Sequence, residues 1–134
     1  VSKMIKVIRP TCQLSAAVKP NLYQARNVFL QEWDVWLAAG YLDWAMPMNY
    51  TPDLRTFADN VNIIYDHLPA RYREKIIMGI GTYNQSPLDA ADKVTYTSIT
   101  RFRGISLFSY NSLNKNPRYI QEIRDRIFPF LKEK

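Results

Sequence analysis

This sequence predicts a single α/β domain built from four strand–helix units around a parallel sheet. Three observations carry that expectation. Short apolar runs recur about every 30 residues, the length of one βαβ unit. The segments between them place apolar residues at helical spacing. Three of the helix starts then join a capping side chain to a proline at the first helical position, where the missing N–H has no partner to lose.

The strands are expected at residues 13–18, 42–48, 76–81 and 104–108. After the first, Asn21 is expected to cap a helix over about residues 22–39 that carries Val28, Phe29, Trp33, Trp36 and Leu37 and stops at Gly40, a natural left-handed terminus. After the second, Thr51-Pro52 opens a helix whose apolar face is Leu54, Phe57, Val61, Ile64, Tyr65 and Leu68. After the third, Ser86-Pro87 opens a less regular stripe of Leu88, Ala91, Val94, Ile99 and Phe102. Asn116-Pro117 opens the last, with Ile120, Ile123, Ile127 and Leu131. No linker or low-complexity tract interrupts the pattern, so residues 1–134 are expected to form one unit.

Composition agrees. Hydrophobic residues make up 47% and charged residues 22%, a globular balance that argues against disorder. No apolar run reaches the roughly 18 residues of a membrane span, and the basic, amphipathic first eleven residues lack the apolar centre of a signal peptide. The lone Cys12 excludes an internal disulfide, and neither a metal site nor a cofactor is expected. The net charge is +6, with the densest cations at residues 71–75 and 101–103. A nucleic-acid binder would gather its cations along one element with interleaved aromatics. The scattered pattern reads as solvated helix ends and loops, so no nucleic-acid partner is expected.

The strands hold a further clue. Ser15, Ala17 and Lys19 share one parity of the first strand, Ala45, Pro47 and Asn49 one of the second, and Gly79, Gly81 and Tyr83 one of the third. A face of small residues ending in a polar or aromatic one suits the crowded interior of a barrel opening into a pocket, with Trp44, Met46 and Met48 turned away. The fourth strand does not sort into faces. A (β/α)8 barrel needs about 250 residues, so four units make half of one.

In this order and spacing, "AAVKPN", "QEWDVWLAAGYLDWAMPMNY", "IIMGIGTYN" and "GISLFSYNSL" resemble the glycosyl-hydrolase-like 10 family of bacterial (β/α)8 proteins. The likeness covers essentially the whole chain and corresponds to the carboxyl-terminal half of that TIM barrel, strands five to eight. It implies a glycoside hydrolase, exported to the periplasm, the cell surface or the medium, acting on cell-envelope polysaccharide such as peptidoglycan glycan.

Glycoside hydrolysis usually needs two carboxyl groups about 5–10 Å apart, at the carboxyl ends of strands in a barrel. No strand here ends in Asp or Glu. Asp43 precedes its strand, Asp53 and Asp89 lie in first helical turns, and Glu32, Asp34, Asp59, Asp66, Asp92, Glu122 and Asp125 lie within helices. In the family an acidic Asp-Asp-Tyr-like motif follows the fourth strand, so no catalytic residue is expected in this chain. What the strand ends supply is substrate binding: Lys19, Asn49, Tyr50, Tyr83, Asn84, Ser109 and Tyr110. Amides bond sugar hydroxyls both ways, and tyrosine faces pack against the C–H faces of sugar rings. Trp33 and Trp36 fall on helical periodicity and read as packing, and the one histidine, His67, as an exposed residue at a helix end. Half a barrel leaves two unpaired sheet edges, which the amino-terminal half or a second copy would cover. Two other readings stand beside this one: a non-catalytic glycan- or partner-binding module, and an open flavodoxin-like sheet that binds an anion at helix starts.

Overall fold

A computed structural model describes residues 1–131, with side chains through Ile127. Strands β1 (Ser15–Val18), β2 (Trp44–Asn49), β3 (Ile77–Gly81) and β4 (Gly104–Phe108) form an all-parallel sheet in the order β1-β2-β3-β4. Helix α1 (Ser2–Ile8) precedes β1. Helices α2 (Leu22–Asn27) and α3 (Trp33–Ala38) follow it, and α4 (Leu54–His67) and α5 (Ala70–Arg73) follow β2. Helix α6 (Pro87–Ser98) follows β3, and α7 (Tyr110–Lys115) and α8 (Arg118–Leu131) follow β4.

The winding is that of a barrel. Each strand joins the sheet beside its predecessor, whereas a doubly wound sheet reverses direction at a switch point and takes helices on both faces. Here the register puts Ala16, Val18, Ala45, Pro47, Asn49, Met78, Ile80, Ile105 and Leu107 on one face, where they are buried or pack on the core. Trp33 and Leu37 of α3, Phe57, Val61 and Ile64 of α4, Ala90 and Ala91 of α6 and Ile123 of α8 complete that core. Each fully buried large side chain among them contributes about 1.5–3 kcal/mol relative to exposure. The other face presents Ser15, Ala17, Trp44, Met46, Met48, Gly79, Gly81, Ser106 and Phe108, and among the described residues no helix covers it. Four parallel strands wound this way are consistent with half of a (β/α)8 barrel, and the order and the bare face both run against the flavodoxin-like alternative.

Four expectations need correction. The parity of β2 is the reverse of the one read from its small residues. Ala45, Pro47 and Asn49 lie under the helices, and Trp44, Met46 and Met48 stand on the uncovered face. The expected helix over residues 22–39 is two short helices, with Leu30 in the left-handed region at φ 54° between them. The break lets Trp33 bury completely while its indole N–H donates to the Lys19 carbonyl at 3.0 Å. Asp53, not Thr51, caps α4: its carboxylate accepts from the Thr56 N–H at 2.7 Å. Helix α6 buries Ala90, Ala91, Lys93 and Thr97 and leaves Leu88 and Ile99 exposed.

Other signals match. Asn21 accepts from Tyr23 and Gln24 as cap of α2, Gly40 is left-handed at φ 70°, and Ser86 with Asp89 forms a capping box ahead of Pro87. Leu131 lies outside the described side chains.

Below the sheet, Asp43 ties three segments together, accepting from Lys6 Nζ at 2.9 Å and from the Leu14 N–H at 2.7 Å. The bond from Lys6, then the one from Leu14, hold its carboxyl below the usual range. His67 ends α4, its ring 3.1 Å from both the Ile63 carbonyl and the Tyr23 hydroxyl.

Candidate functional site

The carboxyl ends of β2, β3 and β4 converge on one aromatic cluster. Tyr50, one residue past β2, continues the parity of Met46 and Met48 and so projects on the uncovered face. Its ring stacks on Phe108, the last residue of β4, with centroids 5.0 Å apart and planes within 10°. Tyr83, two residues past β3, meets both rings edge-on, 6.4 Å from Tyr50 and 6.2 Å from Phe108. These offset and T-shaped arrangements suit the ring quadrupole and make a rigid platform.

Glycines in the middle strand make the stack possible. Strands two apart are separated by nearly 10 Å, yet the Tyr50 and Phe108 rings meet above β3. A Cβ on Gly79 would stand 2.8 Å from the Pro47 carbonyl oxygen and 3.0 Å from Tyr50 Cε1, and one on Gly81 3.2 Å from Tyr50 Cβ. The space over these glycines is therefore filled by the protein's own tyrosine, and a ligand would meet the upper and outer surfaces of the rings. Phe108 is 49% exposed and Tyr83 55% exposed. Tyr50 is half-buried, and burial, then neighbouring Tyr83, raises its hydroxyl pKa.

Polar contacts fix the loops that carry the rings. Asn84 Nδ2 donates to the Tyr50 carbonyl at 2.8 Å, joining the β3 loop to the β2 loop. Lys93 of α6 is fully buried and donates to the Thr51 and Pro52 carbonyls, each at 2.8 Å, and to Gln85 Oε1. Gln85 in turn donates to the Gly81 carbonyl. Burial lowers the Lys93 pKa, and Asp89 and Asp53 oppose that shift. Tyr119 of α8 donates to the Gln85 and Ser86 carbonyls at 3.0 and 3.1 Å, and burial, then Asp89 and Glu122, pushes its pKa up to about 12.

Of the residues singled out from sequence, the structure brings Tyr50, Tyr83 and Asn84 together. Ser109 and Tyr110 adjoin Phe108 in the chain. Ser109 Oγ sits 3.2 Å from Ser112 Oγ, and Tyr110 is 76% exposed. Lys19 stands apart, its ammonium 4.2 Å from the centre of the Phe29 ring. Asn49 is not at the surface. It is 1% exposed, its Nδ2 donates to the Phe57 carbonyl at 3.1 Å, and its Oδ1 accepts from Asn60 at 3.0 Å. That amide locks β2 to α4.

Sequence reasoning missed Phe108, because "GISLFSY" alternates without a clear apolar parity, and Lys93, which sits beside the apolar stripe of α6 rather than in it. The carboxylates nearest in sequence to these loops, Asp53 and Asp89, serve as helix caps. Bonds from Thr56 and from Ser86, respectively, hold them below the usual carboxyl range. Among the described residues no three His, Cys, Asp or Glu side chains gather as a metal site would require.

Comparison with protein-family models, curated proteins and solved structures finds no match to this chain. The family resemblance therefore rests on the motifs quoted above.

Proposed function

We propose that this chain is the substrate-binding half, strands five to eight, of a glycoside-hydrolase-like (β/α)8 barrel acting on bacterial cell-envelope glycan, and that it carries no catalytic carboxylate of its own. The observation that supports this is the exposed platform of Tyr50, Tyr83 and Phe108 at the carboxyl ends of three neighbouring parallel strands, the place where barrels bind ligands. Its rings offer flat apolar surface at low entropic cost, and Asn84 and Ser109 flank them with groups able to bond hydroxyls. In this reading the bare sheet face and the edges of β1 and β4 are covered by the barrel's other strands. A second reading, a glycan-binding module with no enzymatic partner half, uses the same platform and differs in what covers those edges.

Co-sedimentation with purified peptidoglycan sacculi tests the proposal. The chain is expected to pellet with sacculi, and the Tyr83→Ala/Phe108→Ala double variant to stay in solution. Equal retention of the two proteins would remove the platform from the account.

A further inference from the structure

The opposite end of the sheet concentrates the chain's excess charge. Arg71 and Arg73 of α5 and Lys75 beyond it lead into β3, and Arg101 and Arg103 lead into β4. The two segments are neighbours in space: the Arg103 N–H donates to the Ile76 carbonyl at 2.9 Å, and Arg73, Glu74 and Arg101 line one cleft of about 340 Å³ with Tyr65. Residues 71–75 and 101–103 hold five cations and one acid, a local charge of +4 against +6 for the whole chain. Among the described residues no carboxylate lies within 4.0 Å of any of the five.

Three of these cations are also held in place. The Arg73 guanidinium lies 3.7 Å from the Tyr65 ring centre, Arg71 4.8 Å from Tyr72 and Arg103 5.4 Å from Trp44. Arg73 Nε also donates to the Leu68 carbonyl at 2.7 Å, which leaves its terminal N–H groups for phosphate oxygens. Beside Arg101, Ile99 is 68% exposed.

We propose that this basic end docks on an anionic phospholipid surface. Two alternatives fit the same observations less well. Single-stranded nucleic acid needs free ring faces for its bases, and here the guanidiniums already stand over those faces. Duplex DNA is read by a helix or ribbon entering a groove, whereas these cations sit on a four-residue helix and two short loops. A bilayer needs only a patch of phosphate-binding cations with an apolar side chain to insert at the headgroup level. No helix among the described residues is long and apolar enough to cross a membrane, and the contact proposed here is with the lipid surface. Because all four strands are parallel, such docking points the aromatic platform away from the lipid. The inference is independent of what that platform binds.

The test is co-sedimentation with vesicles of phosphatidylcholine, with and without about 30 mol% phosphatidylglycerol, at low and high salt. Binding is expected only with the anionic lipid, lost near 0.5 M salt where screening shortens to a few ångströms, and weakened at least about tenfold by Arg101→Gln/Arg103→Gln. Arg71→Gln/Lys75→Gln, on the other segment, should weaken it comparably, with circular dichroism confirming the fold of both variants. Equal binding to neutral vesicles, or wild-type binding by both double variants, overturns the proposal. So does tighter binding to a short DNA duplex than to anionic vesicles at the same salt, which assigns the patch to nucleic acid.

Discussion

Gly79→Ala probes the feature on which the aromatic platform rests. The added Cβ would lie 2.8 Å from the Pro47 carbonyl oxygen, 3.0 Å from Tyr50 Cε1 and 3.4 Å from the Met48 Cα. The tyrosine ring can swing aside, but the carbonyl belongs to β2, whose Met48 pairs with Gly79 in the ladder. Relief therefore requires prying β2 from β3, and overpacking of this kind costs about 1–3 kcal/mol. Alanine also restricts the unfolded chain, which offsets roughly 0.4–1 kcal/mol of that cost at a position whose φ is not left-handed. The expected net loss is about 1–2 kcal/mol. Gly104→Ala is the control: its Cβ meets nothing within 4 Å, so the same entropy should stabilise the protein by about 0.4–1 kcal/mol. In urea unfolding with a slope of about 2 kcal/mol/M, the Gly79 variant's midpoint should fall by roughly 0.5–1 M and the Gly104 variant's rise by a few tenths. Midpoints that move in the same direction, or a Gly79 variant as stable as wild type, would refute the close approach of the Pro47 carbonyl to Gly79 over which the Tyr50 ring is seated.

Asn49→Ala leaves the Asn60 side-chain N–H without its acceptor in the core and removes the second donor to the Phe57 carbonyl, and should cost about 1–3 kcal/mol in denaturant unfolding while glycan affinity of the folded fraction stays unchanged. Asp43→Asn bears on pH. The folded pKa of Asp43 is lowered, so its contribution is present above the unfolded carboxyl value near 3.8 and is lost as pH falls through the folded one. The variant should lose about 1 kcal/mol at neutral pH, a figure kept small because a third of the side chain is exposed, and the gap from wild type should shrink in acid melts. Lys93→Met removes donors to three acceptors and is expected to destabilise by about 1–3 kcal/mol. It should also disturb the Tyr50 and Tyr83 signals in aromatic NMR spectra, because the loops bearing them lose their tether.

The fold was largely legible because strand and helix periods differ and the unit repeats. Runs such as "IIMGIG" and "GISLF" mark their own strands, and the capping side chains at Asn21 and Ser86 mark helix starts. What could not be read was which face of β2 met the helices. Ala45 and Pro47 fit a tight barrel interior and a close helix contact equally well, and a buried asparagine is tolerable only because Asn60 and Phe57 satisfy it, a contact made across eleven and eight residues. Thr51 reads as the cap of α4 because it precedes a proline, with Asp53 in the first turn, but side-chain geometry gives the cap to Asp53. In the site, Tyr50, Tyr83 and Asn84 were found from their positions at strand ends. Phe108 was not, because its role depends on stacking across the glycine strand. Lys93 is not legible since a buried lysine is justified by two carbonyls of one distant loop, Thr51 and Pro52, which no local pattern announces.

Whether the strand-end aromatics bind glycan is decided by an NMR titration of the chain with a soluble β-1,4-linked N-acetylglucosamine hexamer. Saturable shifts are expected in the ring signals of Tyr50, Tyr83 and Phe108, with Lys19 and Asn49 unmoved and the response abolished in Tyr83→Ala/Phe108→Ala. Unchanged ring signals at millimolar oligosaccharide, or shifts centred elsewhere that survive in the double variant, would contradict glycan binding there.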